Sequence, residues 1–215
     1  MNKKNHNIIS DIEENLRFFS QIGAEFIFKK DLDLTLDERI LQCRKCPLAQ
    51  TRKHAVPGEG DLNADLMFVG EAPGRDEDLL GRPFVGRAGK LLTKIIEAMK
   101  FKRDEVYITN IIKCRPPENR NPQPNEIQEC QGYLFEQIER IKPRMIVALG
   151  KVAASFFIAD NLSMTKLRGR LYDFQGISVM PTFHPSYLVR NEQNKLLRKL
   201  VWEDMKEVMS FLDKK

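Results

Sequence analysis

Apolar residues in this chain follow two periods. Residues 66–69, 106–109, 145–149 and 177–183 are short runs of apolar, β-branched and aromatic side chains, each of strand length. Residues 88–100, 125–141, 152–159 and 196–212 instead place apolar side chains three and four apart, the spacing of an amphipathic helix. Met145-Ile146-Val147-Ala148-Leu149, followed by Gly150, is apolar throughout, as a strand covered on both faces must be. Alternation of such strands with helices predicts a three-layer α/β/α fold around a central, mainly parallel four-stranded sheet. Ahead of it, Ile8, Ile12, Leu16 and Phe19 are spaced as on a helix, so residues 1–35 read as an N-terminal helical extension with a poorly ordered tip. A second helix is expected from Thr35, its N-cap, with Glu38 as capping-box partner, and it delivers Cys43 and Cys46 at its end. Residues 36–215 then form the main domain.

Open parallel sheets bind ligands beyond the carboxyl ends of their strands. The first strand runs into Gly70-Glu71-Ala72-Pro73-Gly74, the second ends at Asn110, and the fourth runs into His184-Pro185-Ser186. Three polar loops thus converge on one sheet edge, which predicts a site. The glycine-rich loop lacks the spacing of a dinucleotide or P-loop motif. It reads either as a plain turn or as a tight loop whose backbone approaches a ligand. Phe84, in Gly81-Arg82-Pro83-Phe84-Val85-Gly86-Arg87-Ala88-Gly89, is flanked by glycines; it is expected off the core, its flat ring suited to stacking on a base. Asn110 would satisfy a turn, or offer the donor and acceptor needed to read a pyrimidine edge. His184 is one of three histidines; a lone histidine is more often structural, but its place on this edge favours chemistry.

Composition adds modestly to this picture. Lys and Arg total 35 against 30 acidic residues, giving a net charge of +5 and a pI near 9.0, a mild bias toward a polyanionic partner. No apolar run approaches the ~18–20 residues of a membrane span, and the first residues lack the apolar stretch of a signal peptide. The cytoplasm is the expected compartment. Cys43 and Cys46 form a C-x-x-C pair, with Cys114 and Cys130 further on. In an intracellular chain of this size such a set points to metal rather than disulfides. Zinc and iron–sulfur clusters both accept four thiolates, and spacing alone does not choose between them.

Four segments carry a more specific signal. Residues 70–74, residues 81–89, Thr109-Asn110-Ile111-Ile112-Lys113-Cys114-Arg115-Pro116-Pro117, and His184-Pro185-Ser186-Tyr187-Leu188-Val189-Arg190-Asn191 resemble, in order and spacing, the signature blocks of family-4 uracil-DNA glycosylases. The similarity covers roughly residues 36–212. It implies a DNA repair enzyme that flips uracil out of DNA, single- or double-stranded, and hydrolyses its N-glycosidic bond to leave an abasic site. It also implies a monomer, associated with the nucleoid when acting on DNA; a partner such as a sliding clamp is left open. The four cysteines match that family's ligands for a [4Fe–4S] cluster, with Lys113, Arg115 and Arg120 beside it facing phosphates.

The resemblance further implies roles around the base. Gly70 and Ala72 border it through the loop backbone, Phe84 stacks on it, the Asn110 amide reads it, and Glu77 stands where a thymine methyl would go. His184 donates to the developing uracil oxygen. Arg82, Arg87, Arg115 and Arg190 hold the DNA backbone, and Leu188 or a neighbour wedges into the vacated stack. Other glycosylases of the superfamily have an aspartate where this chain has Ala72, so positioning of water falls to Glu71 or Asn119. Cross-linking relatives carry GEQPG and an inserted basic loop with a reactive histidine. This chain has Ala72 and no histidine in residues 114–124, which predicts turnover rather than a covalent trap. Two other classes compete: a non-catalytic nucleic-acid-binding module stabilised by metal, and a phosphate or nucleotide enzyme using residues 70–74. The first does not account for three converging loops, and the second lacks a P-loop lysine and paired metal carboxylates.

Overall fold

A computed structural model describes residues 34–158 and 162–214. The chain divides into two compact units, Met1–Arg39 and Ile40–Lys215. The helical extension expected over residues 1–35 lies almost entirely outside the described residues. The expected capping box is present: Glu38 N–H donates to Thr35 Oγ1 at 3.3 Å, and Thr35 N–H donates to Glu38 Oε2 at 2.7 Å, opening α1 (Leu36–Gln42). That helix ends one residue before Cys43.

In the second unit, the short helix α2 (Leu48–Thr51) leads to the sheet strands β1 (Glu59–Gly60) and β2 (Leu66–Gly70). Helices α3 (Arg75–Leu80) and α4 (Arg87–Ala98) follow, then β3 (Tyr107–Asn110), α5 (Pro124–Ile141), β4 (Met145–Leu149) and α6 (Lys151–Phe157). The chain ends with α7 (Met164–Leu167), β5 (Tyr172–Phe174), β6 (Ile177–Thr182), α8 (Pro185–Arg190) and α9 (Lys195–Phe211).

The sheet order is β1-β3-β2-β4-β6-β5. Its four inner strands are parallel and are the four read from the apolar runs. Two antiparallel edge strands, β1 on β3 and β5 on β6, raise the count from four to six. Neither edge strand is long or apolar enough to show a period. In β1, Gly60 adopts φ +130°, and a Cβ there would strike the carbonyl of Val106.

Both faces of the inner strands are covered. Leu66, Phe68 and Val147 pack in one cluster with Leu92 and Ile96 of α4 and Val201, Met205 and Val208 of α9. The alternating residues Met67, Val69, Ile146 and Ala148 are fully buried as well. Burying apolar surface at about 25 cal/mol per Å² is what fixes this three-layer arrangement. Register then aligns the strand ends: Gly70 pairs with Asn110, and Leu149 with Thr182. The residues that follow, including Gly150 and His184, emerge at the same edge.

Candidate active site

One cleft of about 670 Å³ opens at that edge, within the ordinary range of small-ligand sites. Its walls include Glu71, Ala72, Glu77, Phe84, Asn110, Asn119, His184 and Arg190, so eight of the residues singled out in the sequence come together. Gly70, the last residue of β2, packs against two of them. A Cβ on Gly70 would collide with Asn110 Oδ1 and with the ring of Phe84, so only glycine lets β2 run under both.

Asn110 is buried, and its Oδ1 has no hydrogen-bond partner among the described residues. Buried polar atoms are ordinarily satisfied, so an orphan at the wall of a cleft marks a place for a ligand donor. His184 caps α8, and its Nδ1 accepts the backbone N–H of Ser186 at 3.0 Å. An accepting Nδ1 carries no proton, so in the neutral ring the proton sits on Nε2. Burial, aided by the nearby Arg190 charge, lowers the His184 pKa to about 4 and keeps the ring neutral. Gly150, at φ +91°, passes close beside it; a Cβ there would stand 3.0 Å from that of His184. Thr182, two residues before His184, is pinned by Asp204 Oδ2 at 2.6 Å, and Asp204 is in turn held by Arg168.

Phe84 departs from expectation. It is buried in the main apolar cluster, at φ +49°, rather than standing off the core. The flanking glycines serve packing: Gly89 lets α4 press against the carbonyl of Phe84, where a Cβ would collide. The ring still borders the cleft, its centroid 5.7 Å from that of His184. What holds this strained loop is Glu77, whose Oε1 accepts the N–H groups of Val85 and Gly86 at 2.9 and 3.0 Å, while Oε2 accepts that of Gly74 at 3.1 Å. Glu77 is therefore a clamp on two loops as well as part of the cleft wall. Glu71 is half-buried, and burial pushes its carboxyl pKa up. Asn119, left-handed at φ +55°, is exposed at the rim, its Oδ1 accepting from Arg115 Nε at 2.7 Å.

The residues expected to hold DNA divide. Arg190 lines the cleft, as does Arg120, which also pairs with Glu126 at 2.6 Å. Arg82 and Arg87 lie outside the cleft lining and pair with Glu59 and Glu192 in exposed contacts of the kind a phosphate readily replaces. Leu188 is corrected: it is 3% exposed and packed in the core, because it faces α4 when residues 185–190 turn helical. The exposed apolar side chain of α8 is Tyr187, at the cleft rim. Lys113 is corrected too. It is fully buried, its ammonium bonded to protein oxygens, and it cannot face a phosphate. The short helices α3 and α8 and the cleft residue Lys151 escaped the sequence reading; six residues give too few turns for a helical period.

The cysteines gather elsewhere. Cys43, Cys46, Cys114 and Cys130 are free thiols lining one small cavity. Among the described residues no group of three or more His, Cys, Asp or Glu side chains is arranged to hold a metal ion. N–H donors do approach the sulfurs. Arg52 donates to Cys114 Sγ at 2.8 Å while also bonding the carbonyls of Leu41 and Cys43, and Lys113 N–H donates to Cys130 Sγ at 3.3 Å. Burial raises the Cys46 and Cys114 thiols and pushes Cys130 up to about 12.

The chain matches a known family. Residues 57–206 match the uracil DNA glycosylase superfamily model. A type-4 uracil-DNA glycosylase of Thermotoga maritima is 48% identical over 86% of this chain and 97% of its own length. The chain belongs to this family. Further type-4 uracil-DNA glycosylases, from Saccharolobus solfataricus and Archaeoglobus fulgidus, are 45% and 42% identical over 86% and 82% of the chain, and over 88% and 91% of their own lengths. The matched family region contains every wall residue of the cleft named above, with Cys114 and Cys130, while Cys43 and Cys46 precede it. Among the described residues no helix is long and apolar enough to cross a membrane.

Proposed function

We propose that this family-4 glycosylase hydrolyses the N-glycosidic bond of uracil in DNA with Asn110 reading the base and His184 stabilising its departure. The observation that carries this reading is that one cleft is lined by both a buried amide oxygen with no partner among the described residues and a neutral imidazole whose Nδ1 is already occupied. Uracil presents an N–H flanked by two carbonyls, and the Asn110 amide supplies the complementary acceptor and donor. Reaching that base requires flipping the nucleotide, at a cost of a few kcal/mol. Phe84 then stacks on the ring, Gly70 and Ala72 border it, and Glu77 excludes a 5-methyl group.

Breaking the glycosidic bond leaves negative charge on uracil. Nε2–H of His184 is the donor for that charge, an effect worth ~3–4 kcal/mol for one well-aimed donor in a dry site. A neutral ring suffices, and it avoids burying a cation that the free site would have to desolvate. Glu71 or Asn119 positions the attacking water. Arg190 and Arg120, with Arg82, Arg87 and Arg115 around them, hold phosphates, and Tyr187 takes the wedge position assigned to Leu188.

The four cysteines suit a [4Fe–4S] cluster: four thiols around one cavity, with two N–H donors aimed at sulfur, as ligating thiolates require. Such a cluster would tie residues 43–46 to the loop between β3 and α5, without taking part at the base. The enzyme would act as a monomer in the cytoplasm, on uracil in single- or double-stranded DNA. The direct test is incubation with a uracil-containing oligonucleotide followed by alkaline cleavage of abasic sites. Strand breaks at uracil, formed far more slowly by Asn110→Ala, are expected; an intact strand would overturn the reading.

A further inference from the structure

Lys113 is among the largest fully buried side chains, and none of the roles above uses its ammonium. Nζ lies 2.7 Å from each of three oxygens: Thr109 Oγ1, the main-chain carbonyl of Asn110, and Gln137 Oε1. Three acceptors require three N–H bonds, which only the ammonium form provides. The acceptors are themselves fixed. Thr109 Oγ1 donates to the Pro57 carbonyl at 2.9 Å, and Gln137 Nε2 donates to that carbonyl at 2.8 Å and to Tyr107 Oη at 3.1 Å. The orientation of the Gln137 amide is thereby set, with its oxygen toward Lys113. The same lysine borders the cysteine cavity, and its main-chain N–H bonds Cys130.

We propose that Lys113 is the positioning residue for Asn110. β3 ends at Asn110, and beyond it the main-chain bonds of Ile111 to Gly70, Ile112 to Glu71 and Val56 to the Lys113 carbonyl hold the segment. The ammonium clamps the carbonyl of that last residue to its own strand and to α5, which holds the side-chain amide at the cleft. A shift of about 1 Å in a positioning group is enough to cost ~10² in rate. This inference rests on the reading of Asn110 as the base-contacting residue.

The test compares Lys113→Met, Asn110→Ala and the double variant in single-turnover release of uracil from a single-stranded oligonucleotide. Affinity for the abasic product and iron content are measured beside it. Lys113→Met is expected to slow release by ~10–100-fold while abasic affinity and iron per chain stay at wild-type levels. In the Asn110→Ala background the same substitution should cost less than about threefold, because two groups acting through one contact do not add. Should Lys113→Met fail to fold, Thr109→Val, which removes one acceptor at nearly constant shape, carries the same test with a smaller loss and the same non-additivity. Losses that multiply in the double variant, loss of iron in Lys113→Met, or wild-type release by Lys113→Met each overturn the proposal. If Asn110→Ala itself releases uracil at the wild-type rate, the reading of Asn110 falls first and the role of Lys113 with it. A slow Asn110→Ala beside a fast Lys113→Met removes the role of Lys113 alone.

Discussion

Residues 110 and 114 are four apart in the chain, yet one lines the cleft and the other the cysteine cavity. The two regions treat polar atoms in opposite ways. In the cleft, Asn110 Oδ1 is left bare, Glu71 sits in a desolvated position, and Phe84 and Asn119 hold left-handed backbone that non-glycine residues seldom adopt. Around the cavity, N–H groups already point at sulfur and the chain packs closely. A site that must accept a transient substrate keeps its partners vacant and stores strain. A site that holds a permanent group can have its donors in place beforehand. Removing a cleft residue should therefore damage rate with little loss of stability, whereas removing a side chain that donates to a cavity sulfur should damage stability and retention first.

The largest effect should come from the cleft. His184→Ala is expected to slow single-turnover uracil release by roughly 10²–10³, the scale of losing one aimed donor. Binding to abasic DNA should stay nearly intact, since that product has no base to contact. Release within about threefold of wild type would remove His184 from the mechanism.

On the cavity side, Arg52→Gln removes a guanidinium that joins Cys114 Sγ to two carbonyls. About 1–3 kcal/mol of stability should be lost, the scale of a charge-assisted hydrogen bond. Iron content and the broad absorbance near ~400 nm expected of a cubane cluster should fall with it. Arg52→Lys should not restore them, because an ammonium lacks the planar fork. Full iron with unchanged thermal stability would erase the contrast between the two regions.

Acid sharpens it further. His184 is held at about 4 in the folded protein, below its ordinary value near 6.5. Between those values the unfolded chain binds the proton more readily, so this histidine's contribution to stability falls as pH drops through that window and is complete above it. The uracil-release profile should accordingly show no inflection near pH 6.5 that disappears in His184→Ala. Finding one would mean the ring works as a cation. The smallest expected change is electrostatic: Arg190→Ala should reduce the log–log salt slope of DNA binding by about one unit if it meets one phosphate. An unchanged slope would move the DNA face away from α8.

What the chain shows locally was readable beforehand. The four inner strands, the long helices and the capping box at Thr35 follow from periodicity and local hydrogen bonding, which act over a few residues and leave a direct mark on the chain. Convergence of residues 70–74, Asn110 and His184 was legible because parallel strands end on one side. Phe84 was misread because glycine neighbours suggest exposure, whereas Gly89 and Glu77 draw the loop inward. Lys113 was misread because a lysine beside arginines looks solvated, and two of its three oxygen partners come from the end of β3 and the third from α5, which follows much later.

By itself, then, the sequence determined which segments become strands and helices, which edge carries the polar loops, and which thiols stand in the chain to be gathered. Tertiary structure alone decided that Leu188 turns inward while Tyr187 stays at the rim, that Glu77 clamps two loops, and that Arg52 reaches Cys114 across 62 positions. The physical reason is range. Backbone periodicity is set by neighbours within a turn or a pleat, whereas the environment of a polar side chain is set by whichever distant segments packing brings against it.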